Sequence, residues 1–393
     1  MRFSMTNPND LSFNPLKALA NFTLKDTPLA SPEAIIERID LPKTMINLEN
    51  LDDLLSVSGM GPLDSAVTAN FWGTRRSGNP GLLPVPKENT GLTFFTRPRL
   101  NLSDSNIAAN ILSLLANENP RSIARAIRAF LDPYTGGTPV APTATTLKGL
   151  NPTIYKSDLV DPLNPFITIL GNNVASSSGY PDTDLNQYTS PEGVMKEQWG
   201  MIDDVCTLFG KYELNFTFKN MYGDPLGTML YLWLFYMSSV YMGDIYPHID
   251  SIVDNEIDYQ TRIYRFVLDP TRTRVLKMFC TGASYPTATN TGASFNQSEG
   301  KPYTDEMNLQ SVSFSCFGAV YYDPRIIFWF NKTVEQFNPN MVDGKRQATY
   351  VKIPFSKYVS MDNIGYPRIN PENMDMEWWI SPQIYQELLA RGY

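Results

Sequence analysis

The stretch that decides the fold is YELNFTFKNMYGDPLGTMLYLWLFYMSSVYM, residues 212–242. In its first part, polar side chains alternate with apolar ones, which are Tyr212, Leu214, Phe216 and Phe218. Such alternation is typical of a strand with one buried face. Asp224-Pro225 then supplies an N-cap and a proline at the first helical position. The stretch therefore predicts a half-buried strand followed by an apolar helix over about 225–243.

This apolar run raises the question of a membrane span. Leu226–Met242 has no charged residue and lies near the lower length limit of about 17 residues for a span. However, the run is isolated, contains glycine, threonine and serine, and is flanked by Asp224 and Asp244 without basic residues. We therefore predict no membrane span. A helix that is apolar on all sides is typical of a buried helix, covered by the sheet and by another layer or subunit.

Three further segments have strand patterns: Tyr259–Asp269, Arg274–Cys280 and Leu309–Tyr322. Each keeps polar residues on one face, which is typical of antiparallel sheets. We place the compact core at 166–335. The predicted class is α+β: an antiparallel β-sandwich core with one buried apolar helix, plus a helical hairpin and long irregular arms.

The segments around this core are predicted as arms and a linker. Residues 1–100 are read as an irregular N-terminal arm with short helices over 31–39 and 45–56. Residues 101–165 combine a helical hairpin at 103–131 with a linker rich in proline, threonine and glycine. Residues 336–393 are read as a loop-like C-terminal arm that ends in a short helix over 382–390.

The second helix of the hairpin is predicted to start with Asn119-Pro120 as N-cap and first helical residue. It carries Arg121, Arg125 and Arg128 on one side. Three arginines at this spacing are compatible with a nucleic-acid surface. In a chain of formal net charge −8, we favour a solvated face or an ion pair with another subunit.

Composition excludes several kinds of chemistry as the main activity. The chain has one histidine, His248, and three widely spaced cysteines, Cys206, Cys280 and Cys316. Histidine dominates acid–base catalysis and zinc ligation, and no paired-cysteine motif is present. We predict buried free thiols, a hydrogen-bonded structural histidine and no catalytic, metal or cofactor residues. The N-terminus has no hydrophobic signal-peptide core.

Two groups of carboxylates are the remaining candidates for chemistry. Asp254, Glu256 and Asp258 alternate, so they are predicted to share one face, where they are compatible with a divalent cation. Without the glycine and spacing of a calcium loop, we favour a solvated face or pairing with Arg262 and Arg265. Asp203-Asp204 is a weaker candidate. Aromatic and methionine side chains on the apolar helix suggest either a ligand pocket or, as we prefer, core or interface packing; the aromatic ones are Tyr231, Trp233, Phe235, Tyr236 and Tyr241.

Several stretches resemble virion structural proteins of large contractile-tailed bacteriophages. They are TFFTRPRLNL (93–102), NPFITILGN (164–172), NEIDYQTRIYRFVLDP (255–270) and the predicted glycine-aromatic turn GASYPTATNTGASF (282–295). The order of strand, buried helix and further strands is also similar to the tail-tube module. The resemblance implies subunits joined into a ring, and it carries no catalytic residues. The hairpin and arms are additional to a simple tube subunit, and they fit a tube-initiating, baseplate or neck protein.

The leading hypothesis is a non-enzymatic structural protein of a phage tail, made in the host cytoplasm and located in the virion. Its expected partners are further copies of itself in a ring and other tail or baseplate proteins, without sequence-specific nucleic-acid binding. One alternative is a receptor- or glycan-binding module, for which Trp378 and Trp379 would have to be exposed. Another is a carboxylate-dependent cell-wall hydrolase, which would need its acidic pair in a cleft.

Overall fold

The structure of the chain is a computed structural model. It describes residues 90–109, 115, 117, 119–133, 157–204, 210–269, 271–295, 309–357 and 364–390. The predicted helices over 31–39 and 45–56 lie outside this part of the chain, as do most of the N-terminal arm, the larger part of the linker and Cys206. Within the described residues, no helix is both long and apolar enough to cross a membrane.

The described elements alternate between strands and helices. The strands are β1 Thr90–Phe95, β2 Val174–Ser178, β3 Gln187–Thr189, β4 Gly200–Ile202, β5 Lys211–Lys219, β6 Ile263–Leu268, β7 Val275–Thr289, β8 Leu309–Tyr321, β9 Val351–Lys352, β10 Tyr366–Ile369 and β11 Met376–Ile380. The α-helices are α1 Asp104–Ala109, α2 Ile123–Leu131, α3 Thr168–Gly171, α4 Pro225–Met242, α5 Ile249–Val253, α6 Arg325–Phe337, α7 Lys345–Thr349 and α8 Pro382–Ala390. Short 3-10 helices lie at Thr291–Phe295, Pro339–Met341 and Phe355–Lys357.

The main sheet has six strands in the order β1-β6-β7-β8-β5-β2, and every described pairing in it is antiparallel. The predicted strand over 212–218 is β5, in which Leu214, Phe216 and Phe218 are buried. The α+β class with an antiparallel sheet is therefore confirmed.

The main sheet curls strongly. Phe95 of β1, at one edge, packs on Phe216 and Phe218 of β5, with ring centroids 5.2 and 5.8 Å apart. Beside β1, the Ile167 N–H donates to the Phe95 carbonyl oxygen at 2.8 Å. Gly171 lies so close that an added Cβ would be 2.7 Å from the Thr93 oxygen. These contacts lie along one six-stranded sheet that curls on itself, and the β-sandwich stays a prediction.

The inner face of the sheet packs on α4. Asp224 caps this helix, its side chain accepting a hydrogen bond from the Gly227 N–H at 3.1 Å, and Pro225 follows at the predicted first position. Trp233 is fully buried and its indole N–H donates to the Tyr259 carbonyl at 3.2 Å. The helix is not covered on all sides, because Tyr241 is 93% exposed.

The outer face packs on α6 and a second, three-stranded sheet in the order β10-β11-β9. Phe330 of α6 lies at the centre of this second core, its ring within 5.3 Å of the ring centroids of Phe94, Phe166, Tyr264 and Phe266. Every residue of β11 is buried. The main sheet is thus covered on both faces by apolar side chains, and its edge strand β1 contributes Phe95 to one core and Phe94 to the other.

Three regions differ from the sequence-based expectation. Residues 90–95 of the predicted arm form edge strand β1, because TGLTFF places apolar side chains on both faces, Phe95 toward one core and Phe94 toward the other. The predicted turn at 282–295 is mostly strand, since β7 continues through Thr289 with a register shift near Pro286. Residues 336–393, expected to be loop-like before the terminal helix, contain the second sheet, whose strands are too short for a clear periodic pattern.

The predicted hairpin region contains α1 and α2, but α2 begins later than expected. Ser122 is its N-cap and accepts from the Arg125 N–H at 3.2 Å, whereas Asn119 forms a turn before it. The expectation of a solvated arginine face holds only for Arg121. Arg125 and Arg128 are buried, and Arg128 forms an ion pair with Asp104 at 2.9 Å within the same chain.

Candidate interaction site

The feature that stands apart from both cores is the hairpin of β3 and β4. It is a separate two-stranded sheet, paired from Gln187 with Ile202 to Thr189 with Gly200. Isolated two-stranded hairpins are marginally stable in water. We therefore expect a contact with another molecule to stabilise this hairpin.

The hairpin exposes an unusual amount of apolar surface. Val194 and Met195 at its tip are 102% and 88% exposed, and Trp199 is 61% exposed. Further apolar side chains of the same arm are exposed, namely Leu185, Tyr188, Met201 and Ile202. Contiguous exposed apolar patches of this kind mark interaction surfaces.

Local hydrogen bonds hold the shape of the hairpin without burying it. The Gly193 N–H donates to the Glu197 carbonyl at 3.0 Å, and a Glu197 carboxylate oxygen accepts from the Met195 N–H at 2.8 Å. At the base, Asn186 donates its side-chain amide to the Asp204 carboxylate at 2.6 Å. The turn is thus preformed, and its apolar side chains remain available to a partner.

His248 lies in a polar junction between α4 and the segment after β1. Its Nε2 is 3.2 Å from the Leu100 carbonyl oxygen and 3.4 Å from Asp132 Oδ1. Asp132 is fully buried and also accepts from the Leu102 N–H at 2.8 Å. Burial alone would lower the pKa of His248, but the hydrogen bond to Asp132 and the carboxylate charge raise it above its usual value. This geometry is that of a structural histidine.

The acidic trio does not share one face. Asp258 is buried and accepts a short hydrogen bond from the Tyr236 hydroxyl of α4, while Asp254 is exposed. Glu256 pairs with Arg99 at 3.0 Å, not with Arg262 or Arg265. Burial raises the pKa of Asp258, and the Tyr236 hydrogen bond opposes that rise. Among the described residues, no cluster of three histidine, cysteine or acidic side chains is placed to hold a metal ion.

The other candidate residues are also placed by the structure. Asp203 and Asp204 are exposed at the base of the hairpin. Trp378 and Trp379 of β11 are 6% and 8% exposed, so they belong to the second core. Of the aromatic residues on α4, Trp233 and Tyr236 are core, and three are partly or largely exposed, namely Tyr231, Phe235 and Tyr241.

Cys280 and Cys316 are buried free thiols, as predicted. Burial raises the pKa of Cys280 to about 12 and that of Cys316 to about 11. A thiol with so high a pKa is protonated at neutral pH and is a poor nucleophile.

The β3–β4 hairpin was not recognised from sequence. Its two strands have three residues each, which is too short for an alternating pattern to show. A usable signal was present, however: SPEGVMKEQWG, residues 190–200, places proline and glycine at a turn beside several large apolar residues.

Comparison with known proteins gives the family. A family model described as "Putative phage tail tube protein" matches residues 43–393. No curated protein sequence matches the chain.

Three solved cryo-EM structures are similar over part of the chain. A chain of the anti-feeding prophage cap, the AFP tube-terminating cap, is 14% identical, with 38% of this chain and 78% of that chain covered and a TM-score of 0.24. The PVC extracellular contractile injection system gives two more, both in the extended state. Its sheath/tube terminator is 10% identical, covering 38% and 84%, with a TM-score of 0.22. Its sheath–tube complex is 10% identical, covering 46% and 98%, with a TM-score of 0.25.

The family model covers most of the chain, including both cores and the exposed hairpin between β2 and β5. The chain belongs to the phage tail tube protein family.

Proposed function

We propose that this chain is a non-enzymatic structural subunit of a phage tail that assembles with copies of itself into a ring, as a tube, tube-initiating, baseplate or neck protein. The observation that carries the proposal is the exposed apolar surface of the β3–β4 hairpin, centred on Trp199. A neighbouring subunit that covers this surface would remove apolar area from water. Such burial stabilises the assembly by about 25 cal/mol per Å².

The main sheet supports the same proposal. One edge, β1, is bordered by the segment 165–171. At the other edge, β2 pairs with β5, and no described strand pairs with its outer side. Open sheet edges favour pairing with another chain, and a closed ring satisfies every such edge.

Neither alternative function is favoured by an observation. Sugar stacking on Trp378 and Trp379 requires accessible rings, and both are buried. A carboxylate-dependent hydrolase requires two acids across a cleft. Asp203 and Asp204 are adjacent in sequence and exposed at the base of the hairpin, rather than facing each other across a cleft. Asp258 accepts a hydrogen bond from the Tyr236 hydroxyl.

The test is assembly of the purified full-length chain. Sedimentation velocity and negative-stain microscopy over a concentration series are expected to show closed rings for the parent. Trp199→Ser should weaken assembly while leaving the circular dichroism spectrum unchanged, because Trp199 contributes little to either core. Tyr222→Ser, which removes a fully exposed ring outside the hairpin, is the matched control and should assemble like the parent.

A parent chain that stays monomeric at all concentrations, and is absent from purified virions, would refute the proposal.

A further inference from the structure

Three arginines line a pocket on the side of the main sheet. It has a volume of about 490 Å³ and lies between the end of β1, the start of β6 and the end of α6. Its arginines are Arg97, Arg99 and Arg262. Such a concentration of guanidinium groups is notable in a chain of net charge −8.

The carboxylates of the pocket are already engaged. Glu256 is paired with Arg99 at 3.0 Å, and Asp258 accepts the hydroxyl of Tyr236. Within the described part of the chain, no ion pair is found for Arg97 or for Arg262, which packs over the Trp329 ring at 5.3 Å. The three arginines therefore outnumber the two carboxylates that line the pocket, Glu256 and Asp258.

Arg97 is the deepest of these groups. It is 5% exposed, and its guanidinium lies 5.6 Å from the ring centroid of Phe130 and 5.9 Å from that of Phe337. Its Nη2 donates to the main-chain oxygen of Asp161 at 2.5 Å, but its Nε is buried without a hydrogen-bond partner. Burial lowers the pKa of Arg97 to about 10, although the charge of the nearby Asp161 opposes this fall, so Arg97 is still charged at neutral pH.

The buried positive charge of Arg97 favours a negative group in the pocket. Leaving a buried charged group without a full set of partners is costly. A carboxylate is the ordinary partner, because its two oxygens match the planar donors of arginine. A volume of about 490 Å³ accommodates one acidic side chain and its immediate neighbours.

The chain itself presents such carboxylates on its exposed arm. Residues 182–204 contain six acidic side chains and one lysine, Lys196. All six acids are exposed, namely Asp182, Asp184, Glu192, Glu197, Asp203 and Asp204. At the tip, the Glu197 carboxylate is folded back onto the turn, whereas Glu192 beside it has no hydrogen bond among the described residues.

We propose that the arginine pocket binds a carboxylate from the β3–β4 hairpin of a second copy of this chain, with Glu192 as the acid that pairs with the accessible Arg99 beside the buried charge of Arg97. The inference rests on the proposed ring assembly and assigns the two surfaces that meet in it. Since pocket and hairpin consist of different residues, the contact is head-to-tail, and such contacts generate rings when the rotation closes. Charge complementarity also fixes which surfaces pair.

The experiment is a charge swap between separately purified full-length variants. Arg99→Glu places a negative charge in the pocket, and Glu192→Lys places a positive charge on the hairpin tip. Each variant alone would repel its own copies, and we expect the concentration for half-assembly to rise by about tenfold or more. In an equimolar mixture, every contact of a ring in which the two variants alternate is again between opposite charges, so rings with an even number of subunits should form at the parent concentration.

Two controls accompany the swap. Arg121→Glu reverses an exposed arginine outside the pocket, and Glu372→Lys reverses an exposed acid outside the hairpin; both should assemble like the parent. Thermal unfolding of each variant checks that it is folded. Arg99 is suited to this test because its ion pair is solvent-exposed, and such pairs contribute only about 0–1 kcal/mol to stability.

The outcomes separate the two proposals. Loss of assembly in both single variants with recovery in the mixture supports the pocket–hairpin contact. Normal assembly of Arg99→Glu and Glu192→Lys would overturn it and leave the ring intact. Loss in Arg99→Glu alone would also overturn it, since the carboxylate would then come from another source. A parent that never assembles would instead refute the proposed ring.

Discussion

Tyr236→Phe is the substitution that most directly tests how α4 is joined to the rest of the molecule. The Tyr236 hydroxyl accepts a hydrogen bond from the Asn101 N–H at 3.0 Å and donates one to the Asp258 carboxylate. Phenylalanine fills the same space, so the substitution removes two hydrogen bonds without creating a large cavity. Its effect therefore reports on the polar junction alone.

The size of the effect can be worked out from these contacts. A hydrogen bond to a charged group contributes about 1.5–3 kcal/mol, and a neutral one about 1 kcal/mol. The expected loss in the free energy of unfolding is therefore about 2.5–4 kcal/mol at neutral pH. Asp258 is 5% exposed, so few water molecules can contact its carboxylate in place of the lost hydroxyl.

The loss should also depend on pH. Burial already raises the pKa of Asp258, and the Tyr236 hydroxyl opposes this rise, so the substitution raises the pKa further. When the folded pKa of a carboxyl is raised, folding is favoured by protonation and stability is lost as pH rises through that pKa. Tyr236→Phe should therefore be less destabilising at pH 5 than at pH 8.

Urea unfolding at both pH values, followed by tryptophan fluorescence, measures this difference. The matched control is Tyr241→Phe, the same change on the same helix at a side chain that is 93% exposed; it should change stability by at most about 0.5 kcal/mol. A loss below about 1 kcal/mol for Tyr236→Phe, equal at both pH values, would refute the reasoning.

Three further predictions follow from the cores and the junction. Because the pKa of His248 is raised, its stabilisation is complete below about pH 6.5 and is lost as pH rises through the folded pKa; His248→Gln should make unfolding free energies less dependent on pH between 6 and 8. Phe330→Ala should cost about 3–5 kcal/mol in urea unfolding, whereas Phe328→Ala, on the partly exposed side of α6, should cost much less. Cys280 and Cys316 should resist thiol labelling at pH 8 until the chain unfolds, as measured by mass spectrometry of the labelled peptides.

Elements with strong local signals were predicted well. The alternating pattern of β5 placed it within one residue at each end. The Asp224-Pro225 start fixed α4, and Pro382 at the first position fixed the terminal helix α8. In each case the information lies within a few neighbouring residues, so no knowledge of tertiary packing is needed.

Other elements depend on contacts that are distant in sequence. The strands β9 and β10 have two and four residues, and they form because β11 lies between them. Arg125 and Arg128 read as a polar helix face, yet both are buried. Long arginine side chains can lie along apolar surface, and Asp104, which pairs with Arg128, is supplied by another helix. Neither outcome is visible in local periodicity.

The arginine pocket is the feature that the sequence predicts least. No motif marks the arginine pocket, because Arg262 lies far along the chain from Arg97 and Arg99 and meets them only where β1 lies beside β6. Two members of the acidic trio, Glu256 and Asp258, line this pocket, but the trio separates into one buried and two exposed side chains.

The two adjacent phenylalanines of β1, Phe94 and Phe95, have a mechanical consequence. Phe95 lies in the core beneath the main sheet and Phe94 in the core above it. A shift of β1 by one residue would exchange its two faces, so the packing in each of the two cores fixes the register of this strand. A pulling force that detaches β1 from the sheet would have to open both cores together. Tension applied through the preceding residues should therefore unfold the two halves in a single event, without a half-open intermediate.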